Sequence, residues 1–166
     1  GRQASSGDIT YKVGSVAPEP DTYPPEIGHD AMRDSHARDR TFSYIIADAG
    51  DPPAGLNVNA TAGEGPTLYH RNTAANGTVG NWASSVLSPS DKTRAECILS
   101  ACTWTTTLED LERNSTTEYY LKAEDNSTVG GTTGTSVNKN ETTITNFSVG
   151  DPNKMFIVEW HDLGYT

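Results

Sequence analysis

Short stretches of alternating apolar and polar side chains, each closed by a cluster of Gly, Pro, Asn or Asp, constrain this 166-residue chain more than any other feature. Alternation at every second residue gives an extended segment two unlike faces, whereas a helix needs apolar residues at every third or fourth position. Residues 116–124, Thr-Thr-Glu-Tyr-Tyr-Leu-Lys-Ala-Glu, are the clearest strand. Residues 41–47 put Phe42, Tyr44 and Ile46 on one face. Further strands are predicted over 66–73, 81–87, 102–108 and 141–149, the last with Thr143, Thr145, Phe147 and Val149 together. Residues 8–16 read as a first strand weakened by Gly14, and 154–161 as a last one. Residues 90–101 read as a helical turn capped by Ser90 or Asp91, or as an irregular loop. Seven or eight short strands with almost no helix predict an all-β fold, an antiparallel sandwich.

Twelve basic residues face 22 acidic ones, a formal charge of −10, which disfavours nucleic acid and anionic membrane surfaces as partners. Only 34% of residues are hydrophobic, and Thr, Ser, Asn and Gly fill the shortfall. Such a composition suits strands and polar turns more than helices. The longest apolar run surrounds Tyr44-Ile45-Ile46-Ala47, far below the roughly 18 residues of a membrane span, so no membrane insertion is expected. The opening Gly1-Arg2-Gln3 has no initiator Met and no signal-like core, so a targeting segment is expected outside this chain.

Six Asn-X-Ser/Thr triplets begin at Asn59, Asn76, Asn114, Asn126, Asn140 and Asn146, none with Pro in the middle. Their number and turn-like surroundings favour N-linked glycans at several of them, and with that a cell-surface or extracellular setting. A chain this rich in Asn and Thr also generates one or two by composition. Cys97 and Cys102 read first as a small disulfide loop and second as two buried thiols in a reducing compartment. A zinc site fits worse, because no second Cys/His pair has matching spacing.

His29, His36, His70 and His161 have no metal-binding spacing, and His29-Asp30 and His161-Asp162 are neighbours that point to opposite faces of a strand. No catalytic residue is assigned, and the chain is not expected to be an enzyme. No cofactor is expected, with calcium as the one ion to consider. Asp48, Asp51, Asp125 and Asp151 fall at strand ends or in loops, where hard oxygen ligands can gather. Asp30, Asp34 and Asp39 form a second acidic group. A solvated surface with turn-forming aspartates is the plainer reading of both. Trp82, Trp104, Trp160, Tyr119 and Tyr120 could line a sugar-binding surface, but the core is their commoner place. Trp104 and one of Tyr119 and Tyr120 are the core candidates, the other tyrosine facing out.

From about Gly65 to Asp125 the chain resembles prokaryotic immunoglobulin-like or fibronectin-III-like modules of secreted and cell-surface proteins. Gly65-Pro66-Thr67-Leu68-Tyr69-His70-Arg71 is similar to the strand after their Gly/Pro-rich loop. Trp82 and Cys102-Thr103-Trp104 sit where such modules place a middle hairpin. Thr117-Glu118-Tyr119-Tyr120-Leu121-Lys122-Ala123-Glu124-Asp125-Asn126 resembles a strand near their end. The insert at 90–102 and the Pro-rich N-terminal region depart from the pattern. The resemblance implies an immunoglobulin-like β-sandwich and an extracellular setting, and no chemistry.

The organisation expected is an N-terminal strand and Pro-rich linker or edge over 1–28, the sandwich over 29–150, and a C-terminal extra strand in 151–166. That last strand carries Met155, Phe156, Ile157, Val158 and Trp160 after a Gly150-Asp151-Pro152 hinge. It suits either donation to a neighbour or the opening of a following domain. The function these features favour is a structural module of a filament, pilus or surface layer, partnered by copies of itself or by neighbouring domains of a larger surface protein. An adhesin or carbohydrate-binding module and an accessory domain of a secreted hydrolase are the alternatives.

Overall fold

The computed structural model describes residues 21–50, 53–58, 64–127 and 138–152. Among them are nine strands and no helix: β1 (Glu26–Gly28), β2 (Arg40–Ala47), β3 (Thr67–Thr73), β4 (Ala83–Val86), β5 (Ser88–Pro89), β6 (Cys102–Leu108), β7 (Ser115–Glu124), β8 (Lys139–Glu141) and β9 (Thr145–Val149). They form two antiparallel sheets. One runs β1-β2-β6-β5. The other runs β4-β3-β7, with β8 and β9 sharing the far edge of β7 end to end.

The two longest alternations supply most of the interior. Along β2, Arg40, Phe42, Tyr44 and Ile46 are buried while their neighbours are exposed or half-buried. Along β7, Ser115, Thr117, Tyr119, Leu121 and Ala123 are buried. Leu68, Cys102, Trp104, Leu108, Phe147 and Val149 complete the layer from the other strands. Phe42 joins the sheets: its ring lies 5.0 Å edge-to-face from Tyr119 of β7 and 6.0 Å from Phe147 of β9. Aromatic pairs in this range add to the effect of burial itself. The buried Arg40 places its guanidinium 4.8 Å above Phe147 and donates to the Arg33 carbonyl at 2.5 Å. A charge thus sits at the rim of the core with an aromatic face and a carbonyl against it.

The expected 141–149 strand is broken in two. Thr142 closes the break, its N–H donating to the Leu121 carbonyl at 2.9 Å and its Oγ1 accepting from Leu121 N–H at 3.0 Å. Side-chain bonding of this kind replaces a ladder position, and Ile144 next to it is exposed. Only Phe147 and Val149 of the four expected residues reach the core. The 90–101 segment is a turn-rich loop. The turn within it is capped by Thr93, not Ser90 or Asp91: Thr93 Oγ1 accepts from Glu96 N–H at 3.4 Å, and Thr93 N–H donates to Glu96 Oε2 at 2.8 Å. Asp91 instead accepts from Thr103 N–H at 3.0 Å. Cys97 and Cys102 form a buried disulfide with Cα atoms 5.6 Å apart, tying this loop to the start of β6. Of the Pro-rich region, Glu26–Gly28 forms an edge strand on β2. The expected strands at 8–16 and 154–161 lie outside the described residues.

His70 is on the inward face of β3, opposite Tyr119 in the register, and half-buried. Burial holds its imidazole below the ordinary value of 6.5. The unfolded chain therefore binds a proton that the folded one resists. Stability is full above about pH 6.5 and falls as the pH drops toward the lower folded value. Urea midpoints measured from pH 7.5 to 5 should show this slope, and a His70→Gln protein should lose part of it.

Candidate functional site

Two of the aspartates singled out from the sequence converge at one end of the sandwich, together with a third from the Pro-rich segment. Asp48 follows β2, Asp125 follows β7, and Asp21 opens the described chain. One carboxylate oxygen from each lies within 4.8 Å of the others. Asp125 is completely buried and Asp21 nearly so. The topology explains the meeting: β2 and β7 lie in different sheets and finish at the same end.

Every one of the six carboxylate oxygens accepts a hydrogen bond. Asp21 takes Tyr23 N–H and Ala54 N–H, both at 2.9 Å. Asp48 takes Gly50 N–H at 3.3 Å and Gly55 N–H at 2.5 Å. Asp125 Oδ1 takes Ser127 N–H at 2.9 Å and Ser127 Oγ at 2.6 Å, and its Oδ2 takes Asn138 Nδ2 at 3.0 Å. Asn138 Nδ2 also donates to the carbonyls of Asp21 and Tyr23 at 3.1 and 3.3 Å. The result is a clamp that gathers four loop segments distant in sequence.

Glycine makes the clamp possible at two points. Gly50 packs directly on the Asp21 carboxylate, leaving no room for a side chain. Gly55 has φ +86°, where a Cβ is strained, and would push one into Ile98. Ile98 belongs to the disulfide loop, and its carbonyl accepts Leu56 N–H at 2.8 Å. The disulfide thereby props the 53–56 segment that donates to Asp21 and Asp48.

Three carboxylates this close are also the donor type a hard divalent cation takes. Most of the six oxygens keep a lone pair beyond the bond described. A clamp already satisfied by N–H and O–H donors predicts that calcium at a few millimolar leaves the wild-type unfolding midpoint in place. A rise abolished in Asp125→Asn would assign the trio to the ion instead.

Asp51 lies outside the described residues. Asp151 is remote from the trio, because β9 runs antiparallel to β7 and ends beside its start, about 30 Å away along a ten-residue strand. The second acidic group is dispersed. Asp34 accepts Ser148 N–H at 2.7 Å, Asp39 accepts Asp110 N–H at 2.9 Å, and Asp30 stands apart beside Met32 and Arg33. Asp21 carries no local mark of a site, because the Pro-rich stretch around it reads as an extended linker or edge. Its partner Asn138 is 117 residues away.

The aromatics separate by face. Trp104 and Tyr119 are core. Tyr120 is on the outer face of the β4-β3-β7 sheet, stacked on Tyr69 at 4.9 Å and 6°, with Trp82 edge-on at 5.3 Å. Arg71 lies 4.8 Å over the Trp82 ring and bonds Glu118 at 2.6 Å. Trp160 and the rest of the 155–160 strand lie outside the described residues.

The described sequon asparagines sit at turns or sheet margins. Asn76, Asn114 and Asn146 are exposed, and their Nδ2 groups bind nothing among the described residues. Asn114 has φ +58°, a left-handed turn position that asparagine tolerates. Asn126 Nδ2 donates to the Leu56 carbonyl at 3.1 Å, and the half-buried Asn140 donates to the Pro25 carbonyl at 2.9 Å. Asn59 lies outside the described residues. No family model, no curated protein and no solved structure matches the chain.

Proposed function

We propose that this chain is a non-catalytic, N-glycosylated structural module with an immunoglobulin-like sandwich, acting outside the cell as a subunit of a filament, pilus or surface layer. The observation that carries this reading is the placement of the sequons. Asn76, Asn114 and Asn146 present unengaged amide groups to solvent on turns and margins, where an attached sugar displaces no packing. The buried Cys97–Cys102 disulfide agrees with an oxidising compartment. Glycopeptide mapping of native material is expected to find sugar at Asn76, Asn114 and Asn146 ahead of Asn140, whose amide is committed to Pro25. Electron microscopy of the same material is expected to show a periodic polymer. An unmodified intact mass would remove the extracellular argument.

A carbohydrate-binding module is the second reading, supported by the Tyr69, Tyr120 and Trp82 group. Beside it a polar pocket of about 210 Å³ is lined by Tyr69, Glu64, Asn57, Lys122 and Glu124. Ring stacking with flanking hydrogen-bonding groups is the chemistry that holds sugars. A glycan array probed with the intact chain decides between the two, and an array on which nothing binds removes this one.

A further inference from the structure

Sheet edges are where one extended chain can recruit another, and folded proteins guard them with charge, proline or covering segments. Most edges here are guarded. The β9 edge is covered by the loop between β1 and β2: Ser35 N–H donates to the Ser148 carbonyl at 3.1 Å and Gly150 N–H to the Ser35 carbonyl at 2.9 Å. The β8 strand carries Lys139 and Glu141. Two prolines, Pro24 and Pro25, precede β1, and the two-residue β5 contains Pro89.

Among the described residues, the outer margin of β4 has none of these. Residues 79–86, Val-Gly-Asn-Trp-Ala-Ser-Ser-Val, hold no charge and no proline. They follow β3 along its whole length, from the Thr73–Val79 bridge to the Thr67–Val86 pair. Val79, Trp82 and Val86 are 56%, 38% and 39% exposed, three of the seven large apolar side chains left open among the described residues. Even Ala83, which faces the sandwich interior by register, is exposed, so this margin overhangs the opposite sheet. Leu87 N–H donates to the Pro66 carbonyl at 2.8 Å. By the two-residue alternation of an antiparallel ladder, Ser84 and Val86 therefore turn their N–H and C=O groups away from β3.

We propose that this margin is the acceptor for residues 155–160, Met-Phe-Ile-Val-Glu-Trp, of a second copy, added as a further strand. The inference rests on the structural reading above and names its joint. The hexapeptide is the most apolar stretch after Pro152. Extended, it carries Phe156, Val158 and Trp160 on one side and Met155 and Ile157 on the other. One set covers the small residues Ala83 and Ser85, and the other extends the Trp82 and Val86 surface. The added ladder satisfies the outward backbone groups.

Chain geometry favours a second copy over the same one. The chain leaves β9 at Val149, opposite Ser115. Reaching the far side of β4 means crossing four strand spacings, about 19 Å. Six extended steps from Val149 to Met155 span about 20–22 Å, which leaves no slack for a turn at Pro152.

Sedimentation velocity on the full chain over rising concentration tests the joint. Ser84→Pro removes an outward N–H that β3 does not use, so it blocks the acceptor without breaking a β3–β4 ladder bond. Val158→Lys blocks the donor. Wild type is expected to form concentration-dependent chains, and each variant alone to associate about tenfold or more weakly. An equimolar mixture should stop at a 1:1 heterodimer, because each variant retains the half that the other lacks. Val86→Lys gives the same acceptor readout if Ser84→Pro fails to fold by circular dichroism. Polymers of Ser84→Pro and Val86→Lys that match wild type would overturn the acceptor assignment and leave the structural reading standing. A wild type that stays monomeric at every concentration while native material forms polymers overturns the joint alone. Non-polymeric native material would bring down both.

Discussion

Replacing Phe42 by alanine is expected to lower the unfolding free energy by about 3–5 kcal/mol, the range for removing a large buried aromatic. Phe42 sits on the short sheet and touches both β7 and β9 of the other, 5.0 Å from Tyr119 and 6.0 Å from Phe147. The cavity would open between the layers, where neither sheet can close in without disturbing its ladder. Ile45 is the matched control. It lies three residues on in the same strand, points to solvent and is 60% exposed. Ile45→Ala should stay within about 0.5 kcal/mol of wild type. Urea denaturation of the two proteins reads the difference, and equal losses would mean that β2 does not present alternate residues to a shared interior.

Asp125→Ala is expected to cost about 2–4 kcal/mol although it removes only a small polar side chain. The carboxylate is completely buried and accepts from Ser127 N–H, Ser127 Oγ and Asn138 Nδ2. Its loss leaves those donors without their acceptor in a site that water reaches poorly. Asp125→Asn keeps one oxygen for Ser127 but turns an amide toward the Asn138 amide, so an intermediate loss of about 1–2 kcal/mol is expected. Hydrogen exchange separates this clamp from the core. Gly55 and Asn126 amides should exchange faster in Asp125→Ala, while those of β7 at Tyr119 and Leu121 change only in step with global stability. Uniform acceleration would show that the carboxylate supports the whole sandwich rather than its loops.

What could be read from the chain depended on the range of the signal. A strand's inward face is written every second residue, so Phe42, Tyr44 and Ile46, Trp104, and the opposed directions of Tyr119 and Tyr120 were all legible. The disulfide was the first of two readings of Cys97 and Cys102, the other being a pair of buried thiols, and the structure forms it. The break between β8 and β9 was not legible. Thr142 substitutes its side chain for a ladder position only because Leu121 lies beside it, and nothing local marks that.

The aspartate site shows the same divide. Asp48 and Asp125 were marked by their strand-end positions, and Asp151 carried the same mark yet belongs to the opposite end of the sheet. Strand direction separates them, and direction follows from pairing, which a single segment does not encode. Asp21 and Asn138 became neighbours through chain closure across 117 residues.

Local pattern and composition therefore determined the all-β class, the inward side chains and the acidic balance of the chain. Tertiary structure alone decided which strand ends meet, which three carboxylates share a clamp and which margin is left bare among the described residues. The physical reason is that side-chain alternation is a property of one strand, whereas ends, edges and clamps belong to pairs of strands brought together by burial of their common faces.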